Sequence, residues 1–385
     1  MPSIRVRAAG AAPWALAAIA TVIGTCLRGL LLGFGALCAV MAAASSAAAD
    51  NPYYKGKRLT VLINFTAGGP TDIEGRLFAK HIAKHIDGQP ATIVQNMEGA
   101  GGLVGNSYLG EIAPKDGTMV GYFTGAAWLY ATEPNKHRVD FRTYEFVAYQ
   151  PGTTVYYVRT DVAPGMKEAT DIVRAQGLVT GGLSADSSKD LLIRLSLDML
   201  GVPFKYVTGY RSNQNARLAL QQNEINFFAE SPPGYRSVVE PSLVKSGQVI
   251  PLYYDPGWNG ESISVPKQIE GLAILPFQEL YRQIKGTAPS GKLWDVYLSS
   301  LAINAAMQRL VVLPPGSPQP AVDALRAAVL RLNDDPDFAQ EAMSALGYVP
   351  SYEAGPETNR QVRAALTVSP EIRTFVLDSI KNAKK

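Results

Sequence analysis

The chain has 385 residues, of which 47% are hydrophobic and 18% are charged. Three of its 36 Lys and Arg residues lie in the first 49 residues, and the remaining 33 balance the 33 Asp and Glu residues. A neutral main part argues against nucleic acid as the partner, because phosphate binding requires a basic surface, and its length suits two domains of ordinary size.

The first 49 residues have the pattern of an export signal. Leu30–Ala44 forms an apolar h-region, and small residues ending at Ala49 form a cleavage site before Asp50. The alternative is a membrane anchor, since the wider apolar stretch is long enough to span a membrane. We expect cleavage near Ala49 and a periplasmic location. Because Cys26 and Cys38 both lie in this segment, the mature chain would contain no disulfide and no cysteine nucleophile.

The first strand, glycine turn and helix after this segment form one unit. Lys57–Phe65 is mostly apolar without clean alternation, as expected of a strand covered on both faces. It leads into Asn64–Asp72, which reads Asn-Phe-Thr-Ala-Gly-Gly-Pro-Thr-Asp, and an amphipathic run continues to Ile86. Thr71 or Asp72 is expected to cap this helix. Adjacent glycines admit a ligand close to the backbone, and a helix N-terminus favours negative charge, so the turn predicts a pocket for an anion such as a carboxylate.

A second glycine turn follows the next predicted strand, Ala91–Val94. Asn96–Gly105 contains four glycines within seven residues, more than a tight turn requires. Neither a Walker lysine nor the glycine spacing of a dinucleotide-binding loop is present. A helix over Leu103–Ile112 and a strand over Thr118–Thr124 follow, and this strand–helix repetition predicts a parallel α/β sheet. Two glycine turns that each follow a strand can converge on one small acidic molecule.

Two crossings divide the predicted fold. Phe146–Arg159 is extended and predicts a crossing into a second domain, and Asp255–Gly260 predicts the return. We therefore predict an α/β protein with domain 1 from residues 50–151 and 255–385 and domain 2 from residues 152–254. This arrangement places a cleft between two lobes joined by a hinge.

The second domain contains a third candidate ligand loop. Gly182–Lys189 follows a predicted strand, and Ser187 is expected to cap a helix in an approximate capping box with Asp190. Other strands of this domain are predicted at residues 204–207, 225–229 and 249–254.

The C-terminal part combines one strand with several helices. Arg309–Leu313 reads as a strand, and Ser317 and Pro318 predict a helix start as cap and first-turn proline. Asp335 begins another helix, which Gly347 ends. Further helices are predicted over residues 356–366 and 370–383.

Few side chains are arranged for catalysis or metal binding. His81 and His85 share a helix face at a spacing that zinc sites use, but no cysteine or catalytic glutamate accompanies them, so a solvent-exposed helix face is expected. No Gly-x-Ser-x-Gly elbow surrounds Ser184, Ser187 or Ser188, and these residues are better read as hydroxyl donors to an anion. The sequence therefore predicts no catalytic residue, no metal and no cofactor.

Asp72 is the most distinctive single residue. Its ordinary role would be a helix cap, and a carboxylate beside a carboxylate pocket would repel an ionised ligand. The functional alternative is that Asp72 positions a water molecule or a ligand hydroxyl. Trp128, Tyr130 and Tyr210 either line the cleft or belong to the core.

The two glycine turns, over Phe65–Asp72 and Asn96–Gly105, and the Asp116-Gly117 turn after them resemble the extracytoplasmic solute-binding proteins of tripartite tricarboxylate transporters, the Bug or TctC-like family. The likeness continues through Phe204–Gly209 and Leu313–Pro318 and covers nearly all of the chain after the leader. It implies a type II periplasmic binding protein-like fold of two lobes that closes on its ligand, with both glycine loops donating backbone N–H groups to one carboxylate. The predicted ligand-binding residues are Thr66, Ala67, Gly68, Gly69, Asp72, Gly101, Gly102, Thr124, Ser184, Ser187, Ser188, Tyr210, Glu230 and Ser231.

The chain departs from the family pattern in several places. Asn64 and Glu98 stand where the family often has proline, and the second-domain loop lacks the usual histidine. Lys189 and Arg211 are candidates to pair with a second carboxylate.

The resemblance implies a monomeric periplasmic binder of a small carboxylated metabolite that delivers it to integral-membrane permease subunits. The alternatives are a ligand sensor for a signalling system and, on weaker grounds, a hydrolase.

Overall fold

The structure is a computed structural model, and it describes residues 52–258, 261–304 and 306–383. The predicted export signal and its cleavage near Ala49 lie outside these residues. Within this part of the chain, no helix is both long enough and apolar enough to cross a membrane.

Apolar runs between glycine turns form strands, as the sequence predicts. The strands are β1 (Arg58–Ile63), β2 (Ala91–Asn96), β3 (Met119–Phe123), β4 (Glu145–Gln150), β5 (Val155–Arg159), β6 (Leu178–Gly181), β7 (Phe204–Val207), β8 (Phe227–Glu230), β9 (Val249–Tyr254), β10 (Gly257–Trp258), β11 (Ile263–Ser264), β12 (Leu275–Pro276), β13 (Arg309–Leu313) and β14 (Glu353–Ala354).

Helices cover the faces of these strands. They are α1 (Pro70–Ile82), α2 (Leu103–Glu111), α3 (Ala126–Thr132), α4 (Ser188–Leu200), α5 (Asn213–Gln221), α6 (Pro232–Gly234, continued by a π-helix over Tyr235–Val244), α7 (Phe277–Lys285), α8 (Lys292–Asn304), α9 (Gln319–Asn333), α10 (Pro336–Leu346), α11 (Thr358–Ala365) and α12 (Pro370–Ala383).

Two six-stranded sheets form the framework. The first sheet has the order β14-β4-β13-β3-β1-β2, and the second has the order β12-β9-β5-β8-β6-β7. The chain changes sheet between β4 and β5, and β12 joins the second sheet after the predicted return crossing at 255–260. Every residue of β3 and β13 is buried, which places these two strands at the centre of the first sheet.

The parallel arrangement predicted for the first three strands is confirmed, and the complete first sheet is mixed. In the first sheet β1 pairs in parallel with β2 and β3, but β13 is antiparallel to both β3 and β4. The α/β fold class with two sheets is confirmed.

Several helix boundaries differ from the prediction. Gly69 is the N-cap of α1 and makes no side-chain cap bond, so the predicted cap at Thr71 or Asp72 is wrong. Pro70 explains the difference, since a proline fits the first position of a helix, where an N–H has no intrahelical partner. Pro318, one residue later than predicted, is the N-cap of α9. The caps predicted at Ser187, Asp335 and Gly347 are confirmed.

The expectation of a solvent-exposed histidine face on α1 is wrong for His81. This side chain is buried, and its Nε2 lies 2.8 Å from a carboxylate oxygen of Glu341 on α10. His85 Nε2 lies 2.9 Å from Asp335, the N-cap of α10. These contacts fix α1, whose N-terminus follows the first glycine turn, against α10.

Candidate functional site

A cavity of about 140 Å³ lies where the carboxyl ends of strands from both sheets meet. From the first sheet, the wall contains residues that follow β1, β2 and β3, together with the start of β13. From the second sheet, it contains residues that follow β6, β7 and β8. Open α/β sheets commonly bind ligands beyond the carboxyl ends of their strands, so this is the candidate ligand site.

The cavity gathers eight of the predicted site residues and leaves six outside its wall. Those in the wall are Thr66, Gly69, Gly101, Thr124, Ser184, Ser187, Ser188 and Ser231. Those outside it are Ala67, Gly68, Asp72, Gly102, Tyr210 and Glu230. Trp128 and Lys189 also lie in the wall, whereas Arg211 is exposed and outside it.

Two backbone N–H groups of the first glycine turn are already hydrogen-bonded within the protein. The Gly68 N–H donates to the Asp72 carboxylate at 2.8 Å, and the Gly69 N–H donates to the Thr66 carbonyl at 3.3 Å. In the described part of the chain, the N–H groups of Thr66 and Ala67 have no such acceptor. The donors available to an anion are therefore fewer than the resemblance implies.

Asp72 stabilises the first glycine turn by hydrogen bonds and lies outside the cavity wall. Its carboxylate accepts 2.8 Å hydrogen bonds from the Gly68 N–H, from Arg76 Nε and from Asn96 Nδ2. The same Asn96 amide donates to the Phe65 carbonyl at 2.9 Å. Asp72 therefore links the two glycine turns, and the water or hydroxyl role proposed for it stays a prediction.

The second glycine turn depends on glycine at Gly101 and Gly102, whose φ angles are +65° and +97°. The Gly102 N–H donates to the Gly99 carbonyl at 2.9 Å, whereas the Gly101 N–H has no acceptor among the described residues. A Cβ on Gly102 would collide with the amide of Asn64. Asn64 in turn exchanges two hydrogen bonds with the Thr124 backbone, at 2.9 and 3.1 Å.

Sequence reasoning missed Arg309, which lies in the cavity wall. Its Nε lies 2.7 Å from Oε2 of the buried Glu74, and its Nη1 donates to Thr124 Oγ1 at 2.8 Å. The Thr124 hydroxyl donates to the Gln308 carbonyl, so Thr124 is fully engaged in holding this wall. The available signal was an arginine at the start of an otherwise apolar strand.

The second-sheet wall is formed at the N-terminus of α4. Ser187 caps the helix by accepting from the Asp190 N–H, and the buried Ser188 Oγ has no hydrogen-bond partner among the described residues. Lys189 Nζ donates to Asn213 Oδ1 and to the Ala229 carbonyl, each at 3.1 Å. No carboxylate of the described chain lies within ion-pair distance of Lys189, and burial lowers the pKa of its ammonium group.

Glu230 lies behind the cavity. Its carboxylate accepts two hydrogen bonds from Arg217 Nη1, at 2.7 and 2.6 Å, and one from the Tyr157 hydroxyl at 3.1 Å. The side chain has no solvent exposure. Its carboxylate oxygens are occupied by this buried ion pair. Glu230 lies outside the cavity wall, whereas the adjacent Ser231 lies in it.

Asp186 connects the two walls across the cavity. Its carbonyl accepts from Trp128 Nε1 at 2.8 Å, and its carboxylate lies 3.0 Å from Lys136 Nζ. Burial alone would raise the pKa of Asp186, but the hydrogen bonds from Ser184 and Lys136 lower it. The Asp186 carboxylate is therefore ionised, and its contacts with Lys136 and Trp128 connect the loop after β6 to the region around α3.

Asp255 lies at the return crossing, next to the cavity residue Thr154. Its buried carboxylate accepts from the Tyr156 hydroxyl at 2.9 Å and from the Tyr297 hydroxyl. Burial raises the pKa of Asp255 to about 7, although the hydrogen bonds from Tyr297, Tyr156 and Thr154 act in the opposite direction. The native state therefore holds a proton here at pH values where the unfolded chain has lost it.

We expect Asp255 to make the protein less stable as the pH rises from about 4 to about 7, because folding takes up a proton in that window. Asp255→Asn should flatten this dependence while keeping an acceptor for the two hydroxyls. Urea unfolding at pH 5 and pH 7.5 measures the effect. Equal slopes for both proteins would contradict the prediction.

Within the described residues, no group of three or more His, Cys, Asp and Glu side chains is arranged to hold a metal ion.

No protein-family profile matches the chain. A UPF0065 protein in the TAR-I ttuE-ttuC' intergenic region of Agrobacterium vitis is 31% identical over 165 residues, which are 40% of this chain and 46% of that relative. The match therefore spans about half of the relative's length.

Two solved structures share the fold over nearly their whole length. The periplasmic binding protein BugD has a TM-score of 0.61 at 19% identity, covering 85% of this chain and 98% of BugD. MatC from Rhodopseudomonas palustris, solved with bound malate, has a TM-score of 0.58 at 19% identity, covering 86% and 98%. The fold that the resemblance implies is thus confirmed: the chain shares the fold of the periplasmic binding protein BugD and of MatC.

Proposed function

We propose that this chain is an exported solute-binding protein that captures a small carboxylate-bearing metabolite between its two sheets. It would deliver that metabolite to the membrane permease of a tripartite tricarboxylate-type transporter. The observation that carries the proposal is the cavity itself, which joins the ends of both sheets and exposes hydrogen-bond donors from each. MatC, which shares the fold, binds malate.

The polar groups of the wall favour an acidic ligand. The backbone N–H groups of Thr66 and Gly101 have no protein acceptor among the described residues, and Lys189 adds a cation without a carboxylate partner there. Asp186, in contrast, is already paired with Lys136. An anion in the cavity would provide an acceptor for the partly exposed N–H groups of Thr66 and Gly101 and a counter-ion for Lys189.

The side chains of the cavity wall favour ligand binding without catalysis. Ser187 Oγ caps α4, and the Ser184 hydroxyl bonds to Asp186, so both hydroxyls are engaged. Among the described residues that line the cavity there is no histidine to act as a base. A Ser–His nucleophile therefore finds no support here.

We extend the proposal to the domains and the partners. The lobes would comprise residues 50–151 with 255–385 and residues 152–254, except that β12 pairs with β9 in the second sheet and would move with the second lobe. They would close around the ligand as a periplasmic monomer without a cofactor. A sensor role uses the same closed lobes. Deleting the protein and comparing uptake with gene induction separates the two roles, since a transport role predicts lost uptake.

The test is a thermal-shift screen of the chain from Asp50 to Lys385 against malate, succinate, adipate and glutamate, with their amides as controls. At 100 times its dissociation constant, a bound acid should stabilise the fold by about 2.7 kcal/mol. For a chain of this size we expect a rise in Tm of several degrees, roughly 5 °C. The amides should give little shift. The absence of a shift with every acid would overturn the proposal.

A further inference from the structure

Asp186 contacts the opposite side of the cavity with both its backbone and its side chain. It lies in the loop between β6 of the second sheet and α4, and its carbonyl accepts from Trp128 Nε1 at 2.8 Å. Its carboxylate lies 3.0 Å from Nζ of Lys136, in the segment between β3 and β4 of the first sheet. A single residue of the second-sheet loop therefore makes two contacts with the first-sheet side.

The loop that carries Asp186 is fixed on its own side of the cavity. The Ser184 hydroxyl donates to the Asp186 carboxylate, and Nη2 of the buried Arg194 on α4 donates to the Ala185 carbonyl at 2.9 Å. Arg194 Nη1 donates to the Ser379 carbonyl of α12 at 2.8 Å. Because the loop is held in this way, little conformational freedom is lost when Asp186 forms its contacts across the cavity.

The two side chains of the ion pair are both charged. Burial would lower the pKa of Lys136, but its hydrogen bonds to Glu133 and Asp186 raise it. Burial would raise the pKa of Asp186, but the hydrogen bonds from Ser184 and Lys136 lower it. The Lys136 side chain is 43% exposed and that of Asp186 is 17% exposed. Partly exposed pairs are of modest strength, so this one can break and form again as the walls of the cavity move.

We propose that Asp186 is a positioning residue that keeps the cavity closed over its ligand, and that its contacts with Trp128 and Lys136 limit the rate at which the ligand leaves. This inference rests on the proposed function, in which two lobes close on a small acid. Separating the lobes would break both contacts together, because both end on Asp186. Trp128 and Asp186 lie in the cavity wall, whereas Lys136 lies outside it.

The ion pair can therefore be removed without changing the cavity wall. Lys136→Met deletes the cation, and Lys136→Arg keeps it. The matched control is Lys80→Met, which removes an exposed lysine whose Nζ lies 2.6 Å from Glu341. Lys80 and Glu341 both belong to the proposed first lobe and lie outside the wall, so their pair does not cross the cavity. Urea unfolding confirms that each variant is folded before binding is measured.

Stopped-flow tryptophan fluorescence with malate, succinate, adipate and glutamate gives the association and dissociation rate constants, and the acid that binds the wild-type chain most tightly is followed in the variants. We expect Lys136→Met to raise the dissociation rate constant about 2- to 5-fold and to leave the association rate constant within about 2-fold. Lys136→Arg and Lys80→Met should release the acid within about 1.5-fold of the wild-type rate. Since salt screens an exposed pair, NaCl at about 0.5 M should bring the wild-type rate of release closer to that of Lys136→Met.

A double-mutant cycle isolates the contact between Lys136 and Asp186. Asp186→Asn removes the charge and keeps the carbonyl that accepts from Trp128. In the Asp186→Asn background, Lys136→Met should no longer change the dissociation rate constant, because its partner has already lost its charge. An undiminished effect of Lys136→Met in that background would show that the lysine acts through some other group, and the inference would fail.

The remaining negative results separate this inference from the proposed function. If the wild-type chain binds an acid and Lys136→Met releases it at the wild-type rate, this inference alone fails. It also fails if Lys80→Met accelerates release by the same factor, because the loss of any surface ion pair would then explain the result. If the wild-type chain binds none of the four acids, the proposed function fails and the inference fails with it.

Discussion

Arg217→Met is expected to lower the free energy of unfolding by about 3–5 kcal/mol, because it leaves the carboxylate of Glu230 buried without its cation. Glu230 has no solvent exposure and accepts both of its short hydrogen bonds at 2.7 and 2.6 Å from Arg217. Tyr157 supplies only a neutral hydroxyl. The corresponding decrease in Tm is roughly 5–8 °C, measurable by calorimetry.

The double variant Arg217→Met with Glu230→Gln separates the charge from the packing. Glutamine keeps an acceptor for Tyr157 and removes the stranded charge, so most of the lost stability should return. Because Glu230 lies outside the cavity wall, the double variant should bind an acid ligand within about twofold of the wild type. Equal instability of the single and double variants would show that the ion pair is not the cause.

Gly102→Ala is expected to lower the free energy of unfolding by about 2–5 kcal/mol, from backbone strain and overpacking together. Gly102 has a φ of +97°, a conformation that residues with a Cβ rarely adopt. The added Cβ would also collide with the Asn64 amide and lie 3.2 Å from the Phe65 ring. Displacing Asn64 loosens Thr124, so ligand affinity should fall as well.

Gly316→Ala is the matched control for Gly102→Ala. Gly316 has a similar positive φ of +78°, but no atom lies within 4 Å of the position that a Cβ would take there. It should therefore show the backbone penalty alone, about 1 kcal/mol, with unchanged ligand affinity. Urea unfolding of both variants isolates the contribution of the collision. Equal losses of stability would show that contact with Asn64 is unimportant.

Local patterns in the sequence predicted much of the framework. The buried strands β9 and β13 were placed at their observed bounds, because continuous apolar runs between turn residues have few other interpretations. Helix α8, over Lys292–Asn304, was missed. Its sequence carries apolar residues on several faces, and a helix of this kind gives little periodic signal.

The side-chain pairings of the site could not be read from the sequence. The glycine turns were visible as local motifs, but Glu74 and Arg309 come from different elements far apart in the chain, and only the packing of α1 beside β13 brings them together. The resemblance placed Glu230 among the ligand-binding residues. In the structure its carboxylate pairs with Arg217, a partner on α5 that no local spacing indicates.

The pair of Glu74 and Arg309 has a consequence for how such a chain can evolve. Each residue is 1% exposed, and each neutralises the other, so a change at either position alone strands a charge in the interior. The two substitutions are strongly non-additive in their effect on stability. A lineage can therefore gain or lose this arginine only by way of a destabilised intermediate or by changing both residues together, which couples the wall of the cavity to a residue on a neighbouring helix.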